Sequence, residues 1–338
     1  MLALAWHHGR LFAGGSFYGP EAGIAEWDGA RWIAVGGGVS GSVTSLLSWN
    51  DRLVVSGWFA SAGTRAARNF AWWDGQQWGR SSPGFDNVIN AFTVHQGRLI
   101  AGGDFLAAGD TDATRIASFD GVTWRPLGSG LSSSVAALTV HDGELIAGCA
   151  FFGSGSMPER FLTRWNGAAW TALGSGPPGR VTALASYNGL LIAAGHLSGS
   201  SASYVVKWDG TAWTPMGSRL DSDVYTLLVH NGELFVGGSF FATVGGTPAQ
   251  AIARWDGLNW QPVGRGMNST VYCLNEHEGD LLAGGSFTIA GSGAANKIAR
   301  WDGASWSGLG AGVGVPSSAR VLSAASLDGD VFVGGAFS

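Results

Sequence analysis

The sequence predicts an all-β protein, a β-propeller of four-stranded blades, and three observations carry that prediction. A W-D-G tripeptide or near variant begins at Trp27, Trp73, Phe119, Trp165, Trp208, Trp255 and Trp301, at spacings of 46, 46, 46, 43, 47 and 46. A second Trp follows five residues later each time, at Trp32, Trp78, Trp124, Trp170, Trp213, Trp260 and Trp306. Between these markers, apolar runs of four to eight residues are broken by Gly, Asn or Asp, which marks short strands. A self-similar period in this range is one in which four strands make one repeat.

Each repeat reads V-x-x-L-x-x-H-N-G-x-L-x-x-G-G-x-F, then a variable stretch, then I-A-R-W-D-G-x-x-W-x-x-L-G-x-G. In the sixth repeat, residues 225–240 give two alternating strands, a and b, around Asn231-Gly232, a pair that accepts the positive φ of a two-residue hairpin. Residues 251–255 give strand c, Asp256-Gly257 turns the chain, and residues 260–264 give strand d. An isolated sheet of four strands would leave two apolar faces in water. The sheets must therefore stack, and radial stacking covers almost every face. The expectation is one propeller domain over 1–338, with repeats at about 1–42, 43–88, 89–134, 135–180, 181–223, 224–270 and 271–319 and a half repeat at 320–338. Seven c–d halves face eight a–b hairpins, the last from Leu322 to Phe337. An eight-position ring is favoured, with seven complete blades and a final a–b hairpin. The alternatives are a cut from a longer array and a seven-bladed ring whose spare hairpin self-associates with a second molecule through its open edge.

The double glycine closing strand b, the aromatic-Asp turn after strand c and the Trp opening strand d resemble kelch-type propellers. The phrasing G-G-x-F…I-A-R-W-D-G-x-x-W-x-x-L-G-x-G is similar to tandem repeats of uncharacterised bacterial surface or secreted proteins and of a fungal cortical polarity marker, and it covers essentially the whole chain. The resemblance implies a scaffold that hosts many functions, and an extracellular or cell-surface setting. Kelch-like copper oxidases share the scaffold, but their Tyr-Cys and His ligand set has no counterpart at the matching positions.

Composition narrows the partners. Among 338 residues there are 56 Gly, only 13% are charged, and the net charge is −5, with 17 Arg and two Lys. No basic field is present to hold nucleic acid. With 46% hydrophobic residues the chain folds, yet no run approaches the ~20 residues of a bilayer span. Residues 1–6 align with a repeated strand, so no signal peptide is expected in this chain. Cys149 and Cys273 lie in separate apolar runs, which argues against a disulfide framework or a zinc site.

Loop length varies in one place. From each second Trp to the next strand-b Phe or Leu the distance is 27 residues in six units, whereas from that residue to the W-D-G aromatic it runs 10, 14, 14, 14, 11, 15 and 14. The b–c and d–a connections share one rim of an up-and-down blade, so this adjustable rim is the expected recognition face. Its b–c loops supply Arg65, Arg68, Asp110, Asp112, Arg115, Glu159, Arg160 and Lys297, and its d–a loops Asp86, Arg180, Arg219, Asp221, Asp223, Arg265 and Arg320.

The remaining motifs read as structure. Trp27, Trp32, Trp73, Trp78, Trp124, Trp165, Trp170, Trp208, Trp213, Trp255, Trp260, Trp301 and Trp306 fill the two repeat positions and are expected in the core. Trp6, Trp49, Trp58 and Trp72 fall outside them and are the better suspects for sugar stacking. The repeated turn carboxylate, replaced by Asn166 in unit four, can accept backbone N–H groups across the turn. His7, His95, His141, His230 and His277 share one position in separate blades, too far apart to ligate one metal. Asp110-Thr-Asp112 and Asp221-Ser-Asp223 lack the Gly and distal Glu of a calcium loop. No nucleophile elbow or phosphate cradle is present. The expectation is a non-enzymatic binding or structural module, without catalytic residue, metal or cofactor, that recognises protein or glycan at the loop rim without membrane insertion. A multivalent lectin with aromatic pockets between blades is the alternative, followed by a hydrolase or oxidoreductase using the central channel.

Overall fold

The computed structural model describes residues 3–16, 22–80, 83–149, 161–197, 199–313, 319–327 and 329–336. The protein is an all-β propeller of seven four-stranded blades, each an antiparallel sheet in the order a-b-c-d, followed by a two-stranded hairpin. Blade six is representative, with strands at Val224–His230, Glu233–Gly238, Ile252–Trp255 and Trp260–Pro262. The terminal hairpin pairs Arg320–Leu327 with Asp330–Ala336. Seven complete blades plus a final a–b hairpin is the strand inventory expected from the repeats. The chain divides into two compact units: Met1–Glu159 with Thr163–Thr171, and Arg160–Leu162 with Ala172–Ser338.

Within each unit the core lies between consecutive sheets. One cluster joins Phe12 and Ile24 of blade one to Val43, Leu53, Trp73 and Trp78 of blade two. Another joins Ile192 and Val205 of blade five to Leu234, Val236, Trp255 and Trp260 of blade six. The repeated Trp pair makes this contact. The two indoles lie directly opposite each other on strands c and d, as at Trp255 and Trp260, with ring centroids 5.1 Å apart. The second Trp then reaches the blade before it: the Nε1–H of Trp170, Trp213, Trp260 and Trp306 donates to the carbonyls of Leu127, Leu173, Met216 and Val263 at 2.9, 2.9, 2.7 and 2.8 Å. All thirteen repeat indoles are buried or half-buried.

The shared histidines reach the other way. His7 Nδ1 lies 2.9 Å from Ser48 Oγ, His95 Nε2 lies 2.9 Å from Gly143 O, and His230 Nδ1 lies 2.8 Å from Glu276 Oε1, each partner belonging to the following blade. Burial, and then the neighbouring His8, hold the His7 imidazole below its ordinary pKa. Blade six is thus tied by one polar side chain forward, His230, and one indole backward, Trp260.

The turn carboxylate folds the c–d connection on itself. Oδ1 of Asp28, Asp74, Asp120, Asp209, Asp256 and Asp302 accepts the N–H groups two and three residues on, and Asn166 Oδ1 does the same from Ala168 and Ala169. These N–H donors pull the Asp pKa values down, in Asp120 to about 2. A depressed folded pKa gives stability that is present above the unfolded value of about 3.9 and lost as pH falls through the folded one. Asp120→Asn keeps the acceptor, as Asn166 does. It should therefore show less acid loss of stability between about pH 4 and pH 2 than the parent, measured by urea unfolding across that window. Equal losses in both proteins would remove the carboxylate as the source.

Candidate functional site

Strand a carries a bulge near its start in blades two to seven and in the terminal hairpin, with register shifts from Val43/Ser45 to Val321/Ser323. A bulge turns one extra side chain out of the pleat. The second glycine of strand b packs against it. A Cβ built on Gly238 would fall on the Asp223 carbonyl, and the same holds at Gly57, Gly103, Gly195 and Gly285 with their own bulges. Cys149 takes this place in blade four and is buried in the apolar cluster of Ile100, Ile116, Leu131 and Val135.

The bulged residue and the one before strand a's buried Val flank the irregular step of the ladder. In blades five to seven these places hold Arg180, Asp223, Tyr225 and Tyr272. They are joined by His196, at the end of strand b where blades six and seven carry Ser239 and Ser286. The side chains meet on one side of the second unit. His196 Nδ1 lies 2.8 Å from Asp223 Oδ1, a close contact set off the axis of an aligned hydrogen bond. Arg180 Nη2 lies 3.8 Å from the same oxygen, and Tyr225 donates its hydroxyl to Asp223 Oδ2 at 3.2 Å. The Tyr225 and Tyr272 rings lie tilted against each other with centroids 5.5 Å apart. Burial, reinforced by the Asp223 charge, holds the Tyr225 hydroxyl above its ordinary pKa. Below the cluster Tyr204 is buried, with its hydroxyl 2.9 and 3.0 Å from the carbonyls of Gly179 and Arg180, and fixes that backbone. This is a polar, aromatic, partly solvated patch suited to hydrogen bonding and stacking. Among the described residues no three of His, Cys, Asp and Glu converge as metal ligands.

Of the rim residues singled out from the sequence, the structure brings only Arg180 and Asp223 together in this cluster. Several others serve the loops. Asp221 accepts the N–H groups of Phe241 and Ala242 with its two carboxylate oxygens, and Asp86 accepts those of Leu106 and Ala107, which clamps each d–a loop to its b–c loop. Lys297 is buried with Nζ 3.2 Å from Ser286 O, and Arg115 donates to Leu131 O at 3.1 Å. Arg68 donates to Asp86 O at 3.0 Å, and Arg65 to Gln77 Oε1 at 3.3 Å. Asp110 and Asp112 are exposed on a small hairpin of Ala107–Ala108 and Thr111–Asp112, and Arg219 is exposed. Arg160 and Glu159 lie outside the described residues.

The exposed apolar side chains were not singled out as rim residues. Phe241 and Val244 of blade six are 51% and 62% exposed, and Ile289 of blade seven 45%, all in b–c loops of the second unit. In the first unit, Leu106 occupies the equivalent loop of blade three, and Trp58 stands 55% exposed at the end of strand b. Of the four Trp outside the repeat positions, Trp58 is the exposed one; Trp49 is buried against Phe119. The signal in the sequence is a doubled apolar step at the end of strand b, Phe105-Leu106 and Phe240-Phe241, where the first ring is buried and the second has nowhere to go.

No protein-family model matches the chain, and no curated protein matches it. Solved structures do. The Dos1 propeller is similar over 100% of this chain and 93% of its own, at 12% identity and a TM-score of 0.57. YCF48 bound to a D1 peptide is similar over 83% of this chain and 86% of its own, at 15% identity and a TM-score of 0.50. At these identities the likeness is one of fold.

Proposed function

We propose that the protein is a non-enzymatic binding module that recognises a protein partner through the b–c/d–a side of its second unit. The observation that carries this reading is the exposure of Phe241, Val244 and Ile289 on loops clamped by Asp221 and Asn268, beside the Asp223 cluster. Apolar anchors held rigid next to a few polar groups are what a protein interface uses. Arg180, Asp223 and Tyr225 supply the polar selectivity, and Arg219 and Tyr272 extend the patch. YCF48, a propeller of similar fold, has been solved with a peptide bound, which supports a peptide or protein ligand here. The same proposal takes residues 1–338 as one propeller domain of kelch-like repeats, of the bacterial surface or secreted kind.

The test is selection of binders from a phage-displayed peptide library on the folded chain. Selected peptides should lose about tenfold or more in affinity on Phe241→Ser combined with Asp223→Asn. They should keep it on Leu258→Ser, which alters an exposed c–d turn on the opposite side of blade six. Binders indifferent to the first pair, or recovered only as glycans on an array, would refute the assignment.

A further inference from the structure

Blade one departs from the repeat at three places around its a–b turn. Strand b opens on Arg10 and strand c carries Glu26, and the two side chains pair at 2.6 Å. Blades four, six and seven hold the same pair with its signs reversed, as Glu144 with Arg164, Glu233 with Arg254 and Asp280 with Arg300. The first turn residue, an amide or an acid in blades two to seven, is here His8.

These departures share one face of the sheet. His7 stands directly opposite Arg10, and Phe12 directly opposite Glu26, and residues opposite each other on paired strands project to the same side. With His8, and with Trp73 of blade two, they line a cavity of about 240 Å³. Phe12 and Trp73 are buried aromatic walls. Glu26 is the sheltered member of the ion pair, with 12% of its side chain exposed against 65% for Arg10.

One polar atom of this wall is unmet. His7 is 3% exposed, its Nδ1 lies 2.9 Å from Ser48 Oγ, and its buried Nε2 has no hydrogen-bond partner. The corresponding Nε2 lies 2.9 Å from Gly143 O in His95 and 3.0 Å from Asn231 Nδ2 in His230. In blade one, His8 instead stacks on the His7 ring, with centroids 4.1 Å apart, and places its own Nε2 3.1 Å from Asp51 Oδ1. A buried polar atom without a partner is costly, and a ligand that supplied the bond would recover that cost.

The wall also selects the chemistry of the ligand. Arg10 and Glu26 balance in charge, and His7, held below its ordinary pKa by burial and then by His8, is neutral at pH 7. A free anion would meet the Glu26 carboxylate, and a free cation the Arg10 guanidinium. A neutral imidazole nitrogen is a donor in one tautomer and an acceptor in the other, and a hydroxyl can answer either. Arg10 offers only donors and Glu26 only acceptors, side by side, which neighbouring hydroxyls of one ring can use together. We propose that this cavity binds one neutral monosaccharide unit, with an apolar ring face against Trp73 and hydroxyls on Arg10, Glu26 and His7. The combination of Arg10, Glu26 and His8 occurs once in the sequence, so there is one such site per chain. It owes nothing to the Asp223 cluster of the second unit.

The experiment titrates the full chain with D-glucose, D-galactose, D-mannose and N-acetyl-D-glucosamine, followed by saturation-transfer NMR and calorimetry. Saturable binding of at least one of them is expected, at one site per chain. Arg10→Met, at a largely exposed side chain, and Glu26→Gln should each weaken it by about tenfold or more. Sodium acetate at the same concentration should not displace the sugar. Phe241→Ser combined with Asp223→Asn should leave sugar binding unchanged, so this site and the proposed protein-binding surface fail separately. Absence of saturable binding by all four sugars, or binding indifferent to both Arg10→Met and Glu26→Gln, would overturn the proposal. So would several equal sites per chain, or displacement by acetate, which would make the cavity an anion site.

Discussion

Trp260→Ala should cost about 3–5 kcal/mol, measured by urea unfolding followed by circular dichroism. Trp260 is 2% exposed and lies in the cluster between blades five and six, with Met216, Val236, Ala253 and Trp255. Truncation opens a cavity between two sheets that cannot close without moving relative to each other. It also strands the Met216 carbonyl, which receives the indole N–H at 2.7 Å inside the protein, and an unmet buried acceptor adds its own desolvation cost. The comparison is Trp58→Ala. That ring is 55% exposed and outside the two repeat positions, so its removal should change stability by no more than about 0.5 kcal/mol. A Trp260→Ala effect as small as that of Trp58 would mean that the indoles are surface decoration and that the sheets are held by something else.

The same contrast separates what the sequence makes legible from what it hides. Trp255 and Trp260 are readable as core because every repeat needs the same filling at the same place, and a need repeated seven times appears as a pattern. The turn carboxylates and the shared histidines are readable for that reason too. The Asp223 cluster is not. It depends on departures from the repeat in three adjacent blades: Tyr225 and Tyr272 sit at the bulges of their strands a, and Arg180 and His196 face each other across strands a and b of blade five. A bulge leaves no composition signal, since Val224 and Thr226 look like any alternating pair. Charged loop residues also hold the loops together. Asp221 and Lys297 spend their polar atoms on neighbouring backbone, because a tightly wound b–c loop leaves N–H and carbonyl groups that some side chain must satisfy. The exposed Phe241 and Ile289 carry no such signal, because an apolar residue beside a strand reads as more strand.

Gly264→Val and Gly310→Val form the second large contrast, because the two glycines share a backbone conformation and differ in what stands over them. Both have positive φ, +57° and +53°, so a β-branched residue meets the same left-handed penalty of about 1–2 kcal/mol at either place. At Gly264 the new side chain also meets Trp301 at 2.8 Å and Trp306 at 3.3 Å. Those rings are held by strands c and d of blade seven and by the bond from Trp306 to Val263 O, so they cannot swing away without breaking the contact between blades. Overpacking of this kind adds about 1–3 kcal/mol, which brings the expected loss for Gly264→Val to about 2–5 kcal/mol, while Gly310→Val should stop near the backbone term alone. Urea unfolding of the two variants reads the difference directly. Equal losses at both positions would mean that the contact with Trp301 and Trp306 adds nothing to the cost at Gly264.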